Sequence, residues 1–198
     1  MNGPWPSVRS SVWAISLGLW LAVASACASA ASRPGGGTPP ERALVGLWVP
    51  SPPEVIAAML DLADVRSGDI VYDLGCGEGE IVIAAARRYG VRAVGVELDH
   101  ERVENAEKNA ASAGVGDRVT FIERDLFEVD IRDATVVTLY LLPELMRRLK
   151  PKLLRELRPG TRIVAHDFPL PDWPPQQTLE VPLDRVRHVY LWTVPLTP

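Results

Sequence analysis

The sequence predicts an α/β domain in three layers, a mostly parallel sheet between helices with an antiparallel hairpin added at its C-terminal end. Three observations predict it. The stretch Ile70-Val-Tyr-Asp-Leu-Gly-Cys-Gly-Glu-Gly-Glu80 carries β-favouring residues into an acid, then glycines at 75, 77 and 79, then a helical apolar pattern at Ile81, Val82 and Ala85. That is a strand, a glycine turn and a helix start. Further apolar or β-branched runs follow at Arg92–Glu97, Arg118–Glu123, Ala134–Tyr140 and Gly160–His166, which gives five β/α units in succession. No proline occurs from Glu54 to Leu142 although the chain holds 18, and this interval marks the folded core.

Each element has its own justification in order. Ser51 can cap a first helix with prolines in its opening turn, and Val55, Met59, Leu60 and Leu62 give that helix one apolar face. The helix over residues 79–89 ends at Gly90, and a third helix over 100–113, with Val103, Ala106 and Ala110 facing inward, ends at Gly114. Leu141-Leu-Pro-Glu-Leu145 begins a fourth, which Pro151 should break into two short pieces. Pro169-Leu-Pro-Asp-Trp-Pro-Pro175 is too rich in proline for helix or central strand. Thr178–Val181 and Arg187–Val194, with a turn at Asp184, read as the terminal hairpin.

Composition narrows the possibilities. With 198 residues, 47% hydrophobic and 23% charged, the chain buries one sizeable core. A net charge of −4 argues against a general polyanion binder and predicts no specific nucleic-acid partner. Two cysteines, Cys27 and Cys76, suffice for neither a disulfide framework nor a zinc cluster, so no metal is expected. Seven basic residues lie between Arg147 and Arg162 against one acid, Glu156; they read either as a solvated face or as a docking patch for anionic headgroups or an acidic partner.

Residues 1–32 stand apart. An uncharged run from Ser10 to Ser32 begins with the strongly apolar Val12–Val23 and continues into small residues that offer A-x-A cleavage sites. It reads as an export signal or as an uncleaved membrane anchor. Residues 33–53 form a linker rich in proline and glycine, and 54–198 form the domain.

The glycine turn selects its ligand by spacing and charge. The dinucleotide fingerprint G-x-G-x-x-G requires glycine where Glu80 stands, and Asp73, Glu78 and Glu80 would repel a diphosphate. A cationic ligand is welcome there. S-adenosylmethionine carries a sulfonium and an ammonium against one carboxylate and has no phosphate. Glu97 closes the second strand 24 residues beyond Asp73, where such a sheet places its acceptor for ribose hydroxyls.

The sequence resembles the class I S-adenosylmethionine-dependent methyltransferases, of Rossmann-like fold, in Asp73-Leu-Gly75-Cys-Gly77-Glu-Gly79. From Val49 to about Trp173 it looks like one group of them, the protein-lysine methyltransferases related to the enzymes that modify the ATP synthase c-subunit and the adenine nucleotide translocase. The stretches that carry this are Val49-Pro50, residues 73–85, Val96-Glu-Leu98, Asp125-Leu126, Leu142-Pro143 and Phe168-Pro-Leu-Pro-Asp-Trp173. Those enzymes tend to have Ser, Asp and Arg where this loop has Cys76, Glu78 and Glu80, a departure that bears on the substrate more than on the cofactor.

The resemblance implies S-adenosylmethionine as cofactor, held by Asp73, Gly75, Cys76, Gly77, Gly79, Glu97, Leu98, Asp125 and Leu126. Asp125 would accept from the adenine amino group. It also implies N-methylation of a lysine, in a protein of the membrane, by direct in-line transfer. A small molecule is the other acceptor class. Tyr140, His166 and Asp167, at the carboxyl ends of the fourth and fifth strands, are the candidate catalytic residues to take the lysine's proton. Their alternative is an ordinary structural role. An exported enzyme would lack its co-substrate, so chemistry favours an anchored domain facing the cytoplasm over an exported one. The rival readings are a nicotinamide-dependent oxidoreductase, a non-catalytic S-adenosylmethionine-binding module and an exported scaffold.

Overall fold

The computed structural model describes residues 49–195. The signal or anchor segment, and the linker up to residue 48, lie outside the described residues; among the described residues no helix is long and apolar enough to cross a membrane. The strands are β1 (Ile70–Leu74), β2 (Arg92–Glu97), β3 (Val119–Glu123), β4 (Val136–Leu139), β5 (Arg162–His166), β6 (Gln177–Pro182) and β7 (Val186–Thr193). The helices are α1 (Pro53–Leu62), α2 (Glu80–Tyr89), α3 (His100–Ser112) and α4 (Pro143–Glu156).

All seven strands join one sheet in the order β3-β2-β1-β4-β5-β7-β6. The first five are mutually parallel, while β7 pairs antiparallel with β5, and β6 with β7, as the expected hairpin. The chain steps outward from β1 through β2 to β3, then crosses back to β4 and β5. The crevice of such a sheet lies where that order reverses, at the carboxyl ends of β1 and β4.

Both faces of the sheet are covered, which is why its central strands read as nearly continuous apolar runs. Val71, Ala93, Val136, Val164 and Leu191 point to one core with Val55, Met59, Val82 and Ala85 of α1 and α2. Leu74, Val96, Val137, Leu139, Ile163 and Trp192 point to the other with Met146, Leu149 and Leu153 of α4. Each buried Leu or Ile of this kind contributes roughly 1.5–3 kcal/mol.

Three expectations are corrected. Ser51 does not cap α1: the helix starts one residue later, with Pro52 at the N-cap, no side-chain cap bond, and the Pro52 carbonyl accepting from the Val55 and Ile56 amides at 3.0 Å each. The preset φ of Pro52 and Pro53 supplies the entry geometry that a cap would otherwise fix. Pro151 does not break α4, which runs unbroken through it. Pro151 and Arg147, whose carbonyl loses its amide partner there, are both exposed, so water can replace that bond. Finally, the β3–β4 connection carries no helix. Asp125 and Asp130 accept from the amides two residues on, Phe127 at 2.9 Å and Arg132 at 3.0 Å, and such local bonds compete with the helix ladder. Val129, Ile131 and Ala134 of this coil fill the second core beside α4.

The basic run 147–162 is not a free electropositive patch. Arg147 pairs with Glu144, Arg155 with Glu156, Arg158 with Asp133 and Arg162 with Asp69. Lys150 donates to the Pro171 and Asp172 carbonyls, and Arg148 lies over the Phe127 ring. Lys152 is buried, donating to the Val129 carbonyl and to Glu156 at 2.6 Å each. Arg147, Arg155 and Arg158 nevertheless stay largely exposed.

Candidate functional site

The glycine turn between β1 and α2 is fastened to the tip of β2. The Gly75 and Cys76 amides both donate to the Val96 carbonyl, at 2.8 and 3.0 Å, and Gly79 donates to Cys76 at 2.9 Å. Gly79 sits in the left-handed region at φ 87° as the N-cap of α2. A Cβ there would lie 2.9 Å from the Phe121 ring, so the position requires glycine both for its backbone and for its space. Gly75 has the same φ, and a Cβ on it would meet Leu141 at 2.8 Å.

Glu97, 6% exposed, is the clasp of this turn. One carboxylate oxygen accepts from the Gly77 amide at 3.0 Å, and the other from the Leu98 and Asp99 amides at 2.9 and 3.1 Å. Asp73, 3% exposed, points into the same region and accepts the Thr138 hydroxyl at 2.8 Å. No cation among the described residues pairs with it. Burial pushes the Asp73 carboxyl up to about 7; the Thr138 bond opposes this and the Glu80 and Glu97 charges add to it. Glu80 is also raised, by burial and then by Glu78. The Cys76 thiol is pushed far up by burial and by the neighbouring acids, so it is a packed group and not a nucleophile. Leu98, just past the tip of β2, is 51% exposed. Asp125 and Leu126, past the tip of β3, are half-buried, and one Asp125 oxygen is engaged by the Phe127 amide.

A second cluster forms where β4 and β5 end. Tyr140 stacks on His166 with ring centroids 3.9 Å apart and on Phe168 at 6.2 Å. His166 is fully buried; its Nδ1 lies 2.9 Å from the Ser51 hydroxyl and its Nε2 has no hydrogen-bond partner. Burial lowers it to about 4; Asp167 opposes that shift, and Arg187 and Arg185 add to it. Asp167 is held by the hairpin: it accepts from the His188 amide at 3.0 Å and pairs with Arg185 at 2.9 Å and Arg187 at 3.3 Å, with Oδ2 also 3.5 Å from His166 Nε2. Burial raises its carboxyl, but the His188 amide, His166 and the two arginines outweigh this and hold it below the usual carboxylate value. Of the three candidates for proton transfer, Tyr140 alone is both part-exposed and without a hydrogen-bond partner among the described residues.

The structure thus brings the turn glycines, Asp73 and Glu97 together, places Leu98, Asp125 and Leu126 past the tips of β2 and β3, and gathers Tyr140, His166 and Asp167 at the β4–β5 edge. Thr138 and Ser51 were missed. The signal for Thr138 was a lone hydroxyl in an otherwise apolar strand, and it stands opposite Asp73 in the β1–β4 register.

Residues 73–177 match the ANTKMT methyltransferase domain family. The chain is 46% identical over 149 residues to a protein-lysine N-methyltransferase of Saccharolobus islandicus, a match covering 74% of this chain and 92% of that one. It is 40% identical over 129 residues to the adenine nucleotide translocase lysine N-methyltransferase of Mus musculus, covering 65% of this chain and 56% of the longer mouse protein. Among solved structures it superposes with TM-score 0.72 and 51% identity on an RNA methyltransferase from Salinibacter ruber in complex with S-adenosyl-L-homocysteine, covering 76% and 96% of the two chains.

The residues present suit a cationic adenosyl ligand. A buried acid at Asp73 with no cation paired to it and a further acid at Glu80 offer negative charge, Arg102 stands 3.9 Å from Glu97, and the turn presents backbone rather than side chains. The same charges disfavour a nicotinamide dinucleotide.

Proposed function

We propose, since the chain belongs to the ANTKMT methyltransferase domain family and is an S-adenosylmethionine-dependent methyltransferase, that it methylates the ε-amino group of lysine in a protein. The observation that carries this is the 46% identity with a protein-lysine N-methyltransferase over 92% of that relative's length. The cofactor supplies an electrophilic methyl group on sulfur. Everything else falls to the chain's own residues. When S-adenosylmethionine is bound, Asp73 would hold its cationic amino-acid end, Glu97 its ribose, and Asp125 with Leu98 and Leu126 its base. Tyr140 and Phe168 wall the acceptor side. Holding the amine in line with the methyl carbon supplies several kcal/mol of the acceleration, and an apolar aromatic wall favours the neutral amine that must attack.

The reading extends to a lysine of a membrane protein, with the domain on the cytoplasmic side. The mouse relative's name, which gives a translocase as its substrate, supports the membrane-protein acceptor, the apolar Val12–Val23 run supports attachment to a membrane, and the need for S-adenosylmethionine supports the cytoplasmic side.

The 51% identity to a protein named RNA methyltransferase favours a second reading, with RNA as acceptor. Two features weigh against it. The chain carries net charge −4, and the basic residues from Arg147 to Arg162 meet partners within the fold. The tip of β4 is Leu139-Tyr-Leu-Leu-Pro143, without the Asn/Asp-Pro-Pro-aromatic tetrad of enzymes that methylate base amino groups. Incubation with tritiated S-adenosylmethionine, a membrane-protein fraction and total RNA in separate reactions decides between them. Label recovered as methyl-lysine is expected; label confined to RNA would overturn the lysine reading and leave the cofactor assignment standing.

A further inference from the structure

We propose that Ser51 and His166 are positioning residues for the acceptor: the imidazole, clamped between the Ser51 hydroxyl and the Tyr140 ring, fixes the aromatic wall against which the acceptor amine is aligned. This rests on the lysine reading of the site.

The two residues lie 115 positions apart, yet both are buried and 2.9 Å separates oxygen from Nδ1. Asp167 Oδ2 lies 3.5 Å from Nε2, so a proton on Nε2 faces a carboxylate and leaves Nδ1 to accept from the Ser51 hydroxyl; we assign that tautomer. The ring has no exposed surface, and burial keeps it neutral at ordinary pH. In this position the imidazole is better placed to pack than to take the acceptor's proton itself. What it offers is its face, stacked on Tyr140 at 3.9 Å and 26°, a contact worth about 0.5–1.5 kcal/mol.

Tyr140 gains from being held. Its ring is part-exposed, its hydroxyl bonds to nothing among the described residues, and it directly follows the strand paired with β1, whose Leu74 leads into the glycine turn. An aromatic face attracts an alkylammonium, so the same ring can seat the methylated ammonium product. Through one imidazole, the segment before α1, the end of β4 and the end of β5 set where that face lies.

The test uses the full-length chain with Ser51→Ala, Ser51→Thr and His166→Gln. S-adenosylhomocysteine affinity and Tm report cofactor binding and folding. Initial rates are read with tritiated S-adenosylmethionine and a heat-treated cell-protein extract from pH 6 to 9, and 15N spectra of labelled histidine report the tautomer. Ser51→Ala should lower the rate at saturating cofactor about tenfold, with cofactor affinity within about twofold of wild type, because displacement of a reacting group costs rate and not binding. Ser51→Thr should restore it. His166→Gln should slow transfer without changing the shape of the pH profile, and wild-type His166 should show the Nε2–H tautomer throughout.

Wild-type rates in Ser51→Ala would overturn the positioning role alone. So would a pH inflection that His166→Gln abolishes, since that would make His166 a base. Wild-type protein that binds S-adenosylhomocysteine but labels no lysine would instead remove the lysine reading, and this proposal with it.

Discussion

Replacing Asp73 by Asn should weaken S-adenosylmethionine binding far more at pH 8 than at pH 5. The Asp73 carboxyl stands at about 7 in the cofactor-free protein because it is 3% exposed and faces other acids. A cation held about 4 Å away at an effective dielectric near 20 favours the carboxylate by about 4 kcal/mol, or about three pKa units, taking the bound value to about 4. Affinity of the wild type should then fall about 100-fold between pH 8 and pH 5, as a proton must leave before the cation is held. Asn imitates the protonated acid at every pH and can still accept the Thr138 hydroxyl. The penalty of the substitution should therefore be about 1,000-fold at pH 8 and only about tenfold at pH 5. The empty protein should show the reverse in its stability. A carboxyl raised from 3.8 to about 7 contributes stability that is full below pH 4 and is lost as pH rises through 7, so wild-type Tm should fall over that window while that of the Asn variant stays level. Titration calorimetry and differential scanning from pH 5 to 8 measure both. An affinity ratio of variant to wild type that is the same at pH 5 and pH 8 would refute the reasoning.

The remaining predictions concern the clasp, the turn and the hairpin. Glu97→Gln leaves an amide NH2 facing either Gly77 or the Leu98 and Asp99 amides, and should cost about 1–3 kcal/mol in denaturant unfolding together with most cofactor affinity. Gly79→Ala combines φ 87° with a 2.9 Å approach to Phe121; about 2–3 kcal/mol of stability should be lost, with weakened S-adenosylhomocysteine binding in the same preparation. Asp167→Asn strips Arg185 and Arg187 of their shared carboxylate and should lower stability by about 1–3 kcal/mol near neutral pH. Because the Asp167 value is depressed, its contribution is full above pH of about 4 and fades as pH falls further, so the Tm gap between variant and wild type should close in acid.

Much of the sheet was legible because its signals are local. The strand, glycine and helix sequence around residues 70–89 needs only neighbours to be read, and the acids at 73 and 97 follow from the strand ends that carry them. The partners of those acids were less accessible. Thr138 meets Asp73 only because β4 lies beside β1, an adjacency set by the crossover and not by spacing. Ser51 looked like a cap because Ser before prolines usually is one, whereas its hydroxyl is taken by a histidine from the far end of the chain. The run of arginines and lysines after residue 146 suggested a surface because composition cannot show that each charge has a carboxylate, carbonyl or ring to meet. Pro151 misled for a related reason: its cost depends on whether water can reach the orphaned carbonyl.

The bonds of Ser51 and Asp167 have a consequence for how the protein is made. Residues 70–97, from β1 through α2 to β2, carry the turn's own clasp, the Gly75, Cys76 and Gly77 amides on Val96 and Glu97, and the remaining supports at Phe121, Thr138 and Leu141 follow before β5 is made. The wall at Tyr140 has no such head start. It must bring back a serine translated long before it and, through Asp167, waits for arginines translated near the end, so transfer competence should appear only once the final hairpin has docked. A nascent chain stalled before β7 would be able to hold the methyl donor but would have nowhere to bring the recipient.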